Sequence, residues 1–186
     1  MSEKVLGLIA GNGKFPLLFA KKAKSLNYKV VAAAVVGDTS RFLKFTADVV
    51  QWFKVGELAK LFEYFKAQGV QDVIMAGQIN PDNLFEQNVK LDEEFQKLFE
   101  AMKDRKADTI FGAVADKLKE HGMELADSTL LLKDHLAPKG TLTKRGPTEN
   151  ELADIDFGRT IAKQMGEIDV GQTVVIKEKA IVAIEA

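Results

Sequence analysis

The most constraining feature of the sequence is an apolar segment that runs straight into a glycine-rich turn and then into a helical pattern. Residues 5–16 read Val-Leu-Gly-Leu-Ile-Ala-Gly-Asn-Gly-Lys-Phe-Pro. This layout is typical of α/β proteins that hold an anionic ligand, because glycines let the backbone come close to the ligand and the helix directs unpaired N–H groups at the turn. Gly11, Asn12 and Gly13 are therefore predicted to contact a phosphate or a nucleotide. The alternative is a tight turn without a ligand.

The turn matches neither of the two common nucleotide-binding fingerprints. Pro16 stands where a dinucleotide-binding turn has its third glycine, and Lys14 is not followed by the serine or threonine of a P-loop. No acidic residue closes the second predicted strand, since Val35-Val36-Gly37 precedes Asp38. A Rossmann oxidoreductase is therefore disfavoured.

Strands and helices alternate over the first 76 residues. Near-continuous apolar strands between amphipathic helices are typical of a parallel sheet that is covered on both faces. The predicted fold class is α/β, with a Rossmann-like parallel sheet domain. The aromatic residues from Phe42 through Phe65 are assigned to its core. The predicted strands are Lys4–Ala10, Tyr28–Val36, Asp48–Val55 and Val70–Ala76, and the predicted helices are Leu17–Leu26 and Gly56–Gln68.

A second polar turn follows the fourth predicted strand, with Gly77, Gln78 and Asn80. Ligands of parallel sheets bind at the carboxyl ends of the strands, so this turn and the glycine-rich turn are predicted to line one crevice. Its amides are candidates for hydrogen bonds to a base or a sugar, and an ordinary polar loop is the alternative.

The remaining chain predicts a boundary between two domains. Residues 92–122 are mostly helical, with a break near Ala107-Asp108, and residues 123–132 are predicted as a further strand. The Rossmann-like N-terminal domain then spans residues 1–134, and residues 135–186 form a connector and an incomplete C-terminal α/β domain. That part holds a helix, Glu149–Met165, with a capping box at Thr148 and Glu151, and a hairpin of strands 172–177 and 180–185. It is expected to need a homo-oligomer or a missing C-terminal segment to cover it.

Composition excludes several classes of protein. The formal net charge of −1 provides no field to attract nucleic acid, so no nucleic-acid partner is expected. The absence of cysteine removes disulfides and cysteine nucleophiles and fits a reducing compartment. No apolar run reaches the roughly 20 residues that span a bilayer. A cytoplasmic protein is predicted, with peripheral membrane contact left open.

Few other residues suggest chemistry. Arg145, next to Lys144, suits bidentate phosphate contact, although a basic pair in a loop is equally typical of a solvated surface. Asp108 fits a helix N-cap better than a metal ligand. Neither His121 nor His135 has a second histidine at metal-binding spacing. Catalytic and metal-binding residues are therefore left unassigned.

Several short motifs together carry a resemblance to a known family. They are Leu6-Gly-Leu-Ile-Ala-Gly-Asn-Gly-Lys-Phe-Pro16, Met75-Ala-Gly-Gln-Ile-Asn-Pro81, Asp108, Pro138-Lys-Gly-Thr-Leu-Thr143, Asp154-Ile155, Ile168-Asp-Val-Gly-Gln172 and Ile181-Val-Ala-Ile-Glu-Ala186. In this order and spacing the chain resembles the UDP-2,3-diacylglucosamine diphosphatases of lipid A biosynthesis that were once catalogued as a domain of unknown function. The match is collinear over essentially the whole chain.

The resemblance implies a reaction and its requirements. The implied reaction is Mg²⁺-dependent hydrolysis of the pyrophosphate of UDP-2,3-diacylglucosamine, in which water attacks the α-phosphorus and gives UMP and 2,3-diacylglucosamine 1-phosphate (lipid X). Gly11, Asn12, Gly13, Gly77 and Gln78 would help to form the substrate cleft. A UDP-linked diacylated glucosamine as substrate implies work at the inner face of the cytoplasmic membrane.

One departure from the family bears on activity. Family members continue past the position of Ala186, through a stretch that includes the aspartate held to be essential for catalysis. The 186 residues alone are therefore expected to show little or no hydrolase activity. A non-catalytic module that binds a nucleotide or another phospho-ligand is the alternative function.

Overall fold

The computed structural model describes residues 4–80, 90–102, 107–168 and 170–185, and for Ala107 and Asp108 only the backbone. The chain forms two compact units, residues 1–136 and residues 137–186. Each unit has its own elements and is described by itself.

The first unit is built on a five-stranded parallel sheet with the strand order β3-β2-β1-β4-β5. The predicted Rossmann-like α/β fold is therefore confirmed. The order reverses between β1 and β4, which is where open parallel sheets bind ligands. The strands are β1 (Lys4–Ala10), β2 (Tyr28–Val35), β3 (Val49–Phe53), β4 (Asp72–Ala76) and β5 (Glu124–Leu125).

Helices cover both faces of this sheet. The helices are α1 (Phe15–Ser25), α2 (Leu58–Ala67), α3 (Glu93–Ala101) and α4 (Ala107–Glu120), with 3-10 helices at Arg41–Phe45 and Lys133–His135. On one face, α1 and the first 3-10 helix bury Phe19 and Leu43 against the sheet. On the other face, Phe62, Leu98 and Leu118 of α2, α3 and α4 form a second core cluster. The two clusters explain why consecutive residues of β1 and β2 are buried together, since side chains of a strand alternate between two faces.

Two sequence-based predictions for this unit are wrong. Strand β5 covers two residues and not 123–132, because the Asp127 carboxylate accepts hydrogen bonds from the N–H and the hydroxyl of Thr129 and so forms a turn. The aromatic residues from Phe42 through Phe65 are not all core. Phe53, Phe62 and Phe65 are buried, but Phe42 and Phe45 are 67% and 70% exposed.

The second unit contains one long helix and a hairpin. Helix α5 (Glu149–Ile168) precedes the antiparallel strands β6 (Val174–Lys177) and β7 (Ala180–Ile184). The capping box is confirmed, since the Thr148 N–H donates to Glu151 and the Glu151 N–H donates to the Thr148 hydroxyl. Helix and hairpin pack closely at Gly158, where an added Cβ would lie 2.8 Å from Ile176. All five residues of β7 are exposed.

Candidate functional site

The two predicted ligand loops meet at the switch point of the sheet. The Asn12 N–H donates to the Gln78 carbonyl oxygen at 2.6 Å, and the Gln78 N–H donates to the Asn12 carbonyl oxygen at 3.2 Å. This pair is an isolated antiparallel bridge between the loops that follow β1 and β4. The sequence-based expectation that these loops share one edge of the sheet therefore matches the structure.

Glycine is required in both loops for a reason other than ligand approach. An added Cβ at Gly11 would lie 2.5 Å from the Gln78 carbonyl oxygen, and one at Gly77 would be closer still to the Asn12 carbonyl oxygen. Gly77 also has a φ of 86°, and Gly13 has a φ of 95° with open space where a Cβ would be. Gly11 and Gly77 thus let the two loops pack together, and Gly13 allows the turn into α1.

The backbone donors of these loops are directed at protein acceptors. Besides the Asn12–Gln78 pair, the Gly11 N–H donates to the Ala76 carbonyl oxygen at 2.8 Å and the Gly13 N–H to Asn12 Oδ1 at 2.6 Å. The amides of residues 11–13 therefore do not form the open phosphate cradle that the sequence suggested. A ligand at this edge would meet the side chains of Asn12, Lys14 and Gln78, which are all exposed.

Helix α1 begins at the same edge without a capping side chain. Lys14 is the N-cap residue and makes no side-chain cap hydrogen bond, Pro16 lies in the first turn, and the first turn contains no acidic residue. The positive end of the helix dipole is therefore left uncompensated by local carboxylates, which favours a negative group nearby.

A third loop, after β2, joins this edge and was missed as part of the site. The Thr39 hydroxyl donates to the Ala10 carbonyl oxygen and accepts from the Val35 N–H. The Asp38 carboxylate accepts from the Asn80 N–H at 3.4 Å. The available signal was positional, since Asp38 and Thr39 follow the carboxyl end of the strand next to β1.

Arg145 lies in the second unit and is held by a carboxylate. Its guanidinium makes two hydrogen bonds of 2.7 Å to the two carboxylate oxygens of Glu151. Arg145 and the Thr148 N–H lower the pKa of the Glu151 carboxyl to about 2. Both side chains line an open groove of about 900 Å³, together with Thr143, Gly146, Pro147, Asp154, Ile155, Gly158, Arg159, Ala162, Gln172, Thr173, Val174 and Ile176.

Asp154, part of one motif of the resemblance, has a structural contact in this groove. Its carboxylate accepts hydrogen bonds from the N–H groups of Glu178 and Lys179 at 3.0 and 2.7 Å. Those residues form the hairpin turn and both have positive φ, 52° and 58°. Asp154 therefore ties α5 to the hairpin.

The two histidines contact residues outside the paired loops. The His121 ring packs 4.8 Å from the Phe62 ring, and His135 contacts Asp134, which pairs with Lys22. Asp108 is the second residue of α4, and its side chain lies outside the described part of the chain. Among the residues that the structure describes, no group of three or more His, Cys, Asp or Glu side chains converges into a metal site.

Fold and edge together define a Rossmann-like α/β domain with two bridged loops at its switch point, followed by a small helix–hairpin unit. Family models identify residues 5–135 as the LpxI N-terminal domain and residues 138–186 as the LpxI C-terminal domain. The chain belongs to the LpxI family, which confirms the resemblance.

A curated relative supports the same assignment. The chain is 28% identical over 185 residues to the UDP-2,3-diacylglucosamine pyrophosphatase LpxI of Caulobacter vibrioides. The alignment covers 97% of this chain and 64% of that protein. The family therefore includes a protein named as a pyrophosphatase, and this chain spans less than two thirds of that relative's length.

Solved structures add only distant likenesses. The biotin carboxylase domain of a thermophilic 2-oxoglutarate carboxylase matches with a TM-score of 0.39 at 13% identity. That match covers 64% of this chain and 22% of the carboxylase chain. Pyruvate carboxylase of Rhizobium etli has a TM-score of 0.40 at 12% identity over 86% of this chain and 13% of its own. These values are too low to bear on function.

In the described ranges, no helix is both long and apolar enough to cross a bilayer.

Proposed function

We propose that this chain binds UDP-2,3-diacylglucosamine at the edge formed by the loops after β1 and β4. The proposed reaction is hydrolysis of the pyrophosphate of this substrate to UMP and lipid X. Family membership and the name of the Caulobacter relative support the substrate. The observation that carries the proposal is the Asn12–Gln78 bridge, because it fixes two polar loops against each other at the ligand-binding point of the sheet.

The proposed contacts are made by side chains. Asn12 Oδ1 accepts from the Gly13 N–H, so its Nδ2 is turned to donate, and no described residue accepts from it. A Gln78 amide presents a donor and an acceptor, which suits a base or a sugar, and the Lys14 ammonium suits a phosphate. The N-terminus of α1 adds a positive dipole end beside them. Together these groups recognise a polar, anionic ligand without a charge-dense pocket.

Arg145 is the proposed phosphate contact of the second unit. Its bidentate partner in this structure is Glu151, and a phosphate would have to exchange with that carboxylate. The exchange is chemically reasonable, because a phosphate offers the same paired oxygen acceptors to a guanidinium as a carboxylate does.

The Mg²⁺ that the resemblance implies is not matched by the described side chains. No converging set of acidic or histidine ligands is present in that part of the chain. None of the described side chains is therefore proposed as a Mg²⁺ ligand.

The test combines a binding measurement with a product assay on the purified chain. Calorimetric titration with UMP and with detergent-dispersed UDP-2,3-diacylglucosamine is expected to show saturable binding, and Gln78→Ala to weaken it about tenfold, the loss of one or two ligand hydrogen bonds. Gln71→Ala is the matched control, since Gln71 is an exposed glutamine outside the loops. UMP release is followed in parallel in the presence of Mg²⁺.

Three outcomes of this test distinguish a hydrolase, a non-catalytic binding module and a chain without the proposed site. Binding with UMP release supports the hydrolase, and binding without release favours the non-catalytic phospho-ligand module. Absence of saturable binding, or equal affinities of the Gln78→Ala and Gln71→Ala variants, contradicts the proposed site.

A further inference from the structure

The 3-10 helix Arg41–Phe45 displays two phenylalanine rings to solvent. Phe42 is 67% exposed and Phe45 is 70% exposed, and their ring centroids lie 6.3 Å apart. Large side chains with this exposure, placed side by side, form a contiguous apolar patch that costs free energy to hydrate. Exposed apolar patches of this kind are typical of surfaces that contact another protein or a membrane.

The patch is fixed in place by its own helix. Leu43, between the two rings, is fully buried in the core cluster that contains Phe19 of α1. The Ser40 hydroxyl accepts from the Phe42 N–H and caps the short helix. Because Leu43 occupies the inward position, the backbone keeps Phe42 and Phe45 on the outside.

Cations flank both rings. Arg41 precedes Phe42, and the Lys44 ammonium lies 4.9 Å from the centre of the Phe45 ring. No ion pair joins Arg41 or Lys44 to any other residue in the described part of the chain. Aromatic rings between uncompensated cations are the composition of a segment that lies in the interface of an anionic bilayer.

The surrounding segment is basic although the whole chain is not. Residues 14–48 contain seven Lys or Arg residues and two Asp residues, whereas the complete chain has a net charge of −1. One of those aspartates, Asp48, pairs with Lys24. Lys22 also has an ion pair, with Asp134, so the cations of this segment without an ion pair in the described part of the chain are Lys14, Lys21, Lys29, Arg41 and Lys44. This excess of positive charge is complementary to a negative surface.

The patch adjoins the candidate site. Thr39, three residues before Phe42, bonds to the Ala10 carbonyl oxygen at the end of β1, and Asp38 accepts from the Asn80 N–H. The loop that leads into the 3-10 helix is thus tied to both ligand loops. After the helix the chain returns to the first half of β2, where the Asp48 N–H donates to the Val30 carbonyl oxygen.

We propose that Arg41–Phe45 docks this protein onto an anionic bilayer, with Phe42 and Phe45 inserted at the boundary between headgroups and acyl chains and with Arg41 and Lys44 on lipid phosphates. This inference rests on the proposed function, because a diacylated substrate resides in a bilayer and the protein has to reach it there. The residues that carry it are separate from those proposed to bind the nucleotide.

Vesicle co-sedimentation tests the docking without any substrate. The chain is expected to bind vesicles of phosphatidylglycerol and phosphatidylethanolamine and to remain in solution with phosphatidylcholine alone. Phe42→Ser/Phe45→Ser is expected to weaken binding at least about tenfold through lost apolar burial, and Arg41→Gln/Lys44→Gln about tenfold through lost attraction to anionic lipid. Phe111→Ser and Lys54→Gln/Lys66→Gln are matched exposed controls in the same unit and are expected to bind like the original chain.

A second measurement reports insertion directly. In a Trp52→Phe/Phe45→Trp variant the only tryptophan lies in the patch, and its fluorescence is expected to be quenched by vesicles with brominated acyl chains. Absence of vesicle binding, absence of quenching, or equal losses in patch and control variants would overturn the proposal. A dimer in gel filtration that the Phe42→Ser/Phe45→Ser change dissociates, with no vesicle binding, would overturn it in favour of a second copy.

The two proposals fail separately. UMP titration without vesicles is expected to give the same affinity for the patch variants and the original chain. A chain that binds UMP but not vesicles contradicts the docking alone, and a chain that binds vesicles but neither UMP nor the substrate contradicts the proposed function alone.

Discussion

Gly11 and Gly77 stand where the backbone of the opposite loop leaves no room for a methyl group. Gly11→Ala and Gly77→Ala are expected to lower the free energy of unfolding by about 1–3 kcal/mol, because the bridged loops must move apart. Gly112→Ala is the control, since Gly112 lies in α4 with open space around it, and it is expected to raise stability by up to about 1 kcal/mol. Urea unfolding measures all three, and a Gly11→Ala variant as stable as the original chain would contradict the packing argument.

The Arg145–Glu151 ion pair at the start of α5 makes a pH-dependent contribution to the stability of the folded state. The pKa of the Glu151 carboxyl is about 2 in the folded state, against an ordinary value of 4.5. The ionised carboxylate is therefore stabilised more in the folded state than in the unfolded state. The contribution is therefore complete above about pH 4.5 and is lost as the pH falls toward 2.

Glu151→Gln isolates that contribution. The melting temperature of the original chain is expected to exceed that of the variant at pH 6, and the gap is expected to close as the pH approaches 2. The prediction fails if the gap stays constant from pH 6 to pH 2. An Arg145→Gln variant should move the Glu151 titration, followed by NMR, back toward 4.5.

The sequence predicts the positions and contacts of individual residues at the candidate site only in part. The sequence places the two loops at one edge of the sheet, and the Asn12–Gln78 bridge agrees with that placement. Their backbone donors were expected to be open, but the loops satisfy one another, which depends on a cross-loop register that no local pattern encodes. The helical and strand periodicities of the stretch from Phe42 through Phe65 predict core positions for Phe42 and Phe45, but Leu43 takes the inward position of the 3-10 helix.

At the scale of elements, the hairpin turn of the second unit holds two residues in an unfavourable conformation. Glu178 and Lys179 both have positive φ, which costs L-residues roughly 1 kcal/mol or more each, and the Asp154 carboxylate compensates by accepting both N–H groups.

Replacing the turn residues should therefore stabilise the unit. Glu178→Asn/Lys179→Gly supplies the residue pair that such a two-residue turn prefers and is expected to raise the melting temperature of the second unit. Asp154→Ala is expected to lower it, and to do so less in the Asn-Gly background. Thermal unfolding followed by circular dichroism measures both, and additive effects would show that Asp154 does not act through the turn.

Most elements agree closely with their predicted bounds, and the two-residue strand β5 is the clearest exception. Strands β1 to β4 and helices α1 and α2 lie within two residues of the predicted bounds, because each carries several apolar residues at strand or helix spacing. The predicted strand 123–132 was wrong because the local Asp127–Thr129 turn ends the extended chain, a short-range contact that outweighs the apolar residues after it.

At the scale of the whole molecule, the two units differ in how much they bury. The first unit has two clusters of fully buried side chains around its sheet, whereas every residue of β7 in the second is exposed. Hydrogen exchange followed by mass spectrometry should therefore show amides of β6 and β7 exchanging much faster than those of β1 and β2. Equal protection would indicate that something covers the hairpin in solution.

Amide NMR tests residue by residue whether the bridged loops after β1 and β4 bind the nucleotide part of the substrate. Titration of the ¹⁵N-labelled chain with UMP is expected to shift the resonances of Asn12, Gly13, Gly77 and Gln78 in a saturable way. Saturable binding that leaves these four resonances unmoved, or the absence of any binding, would contradict the proposed site.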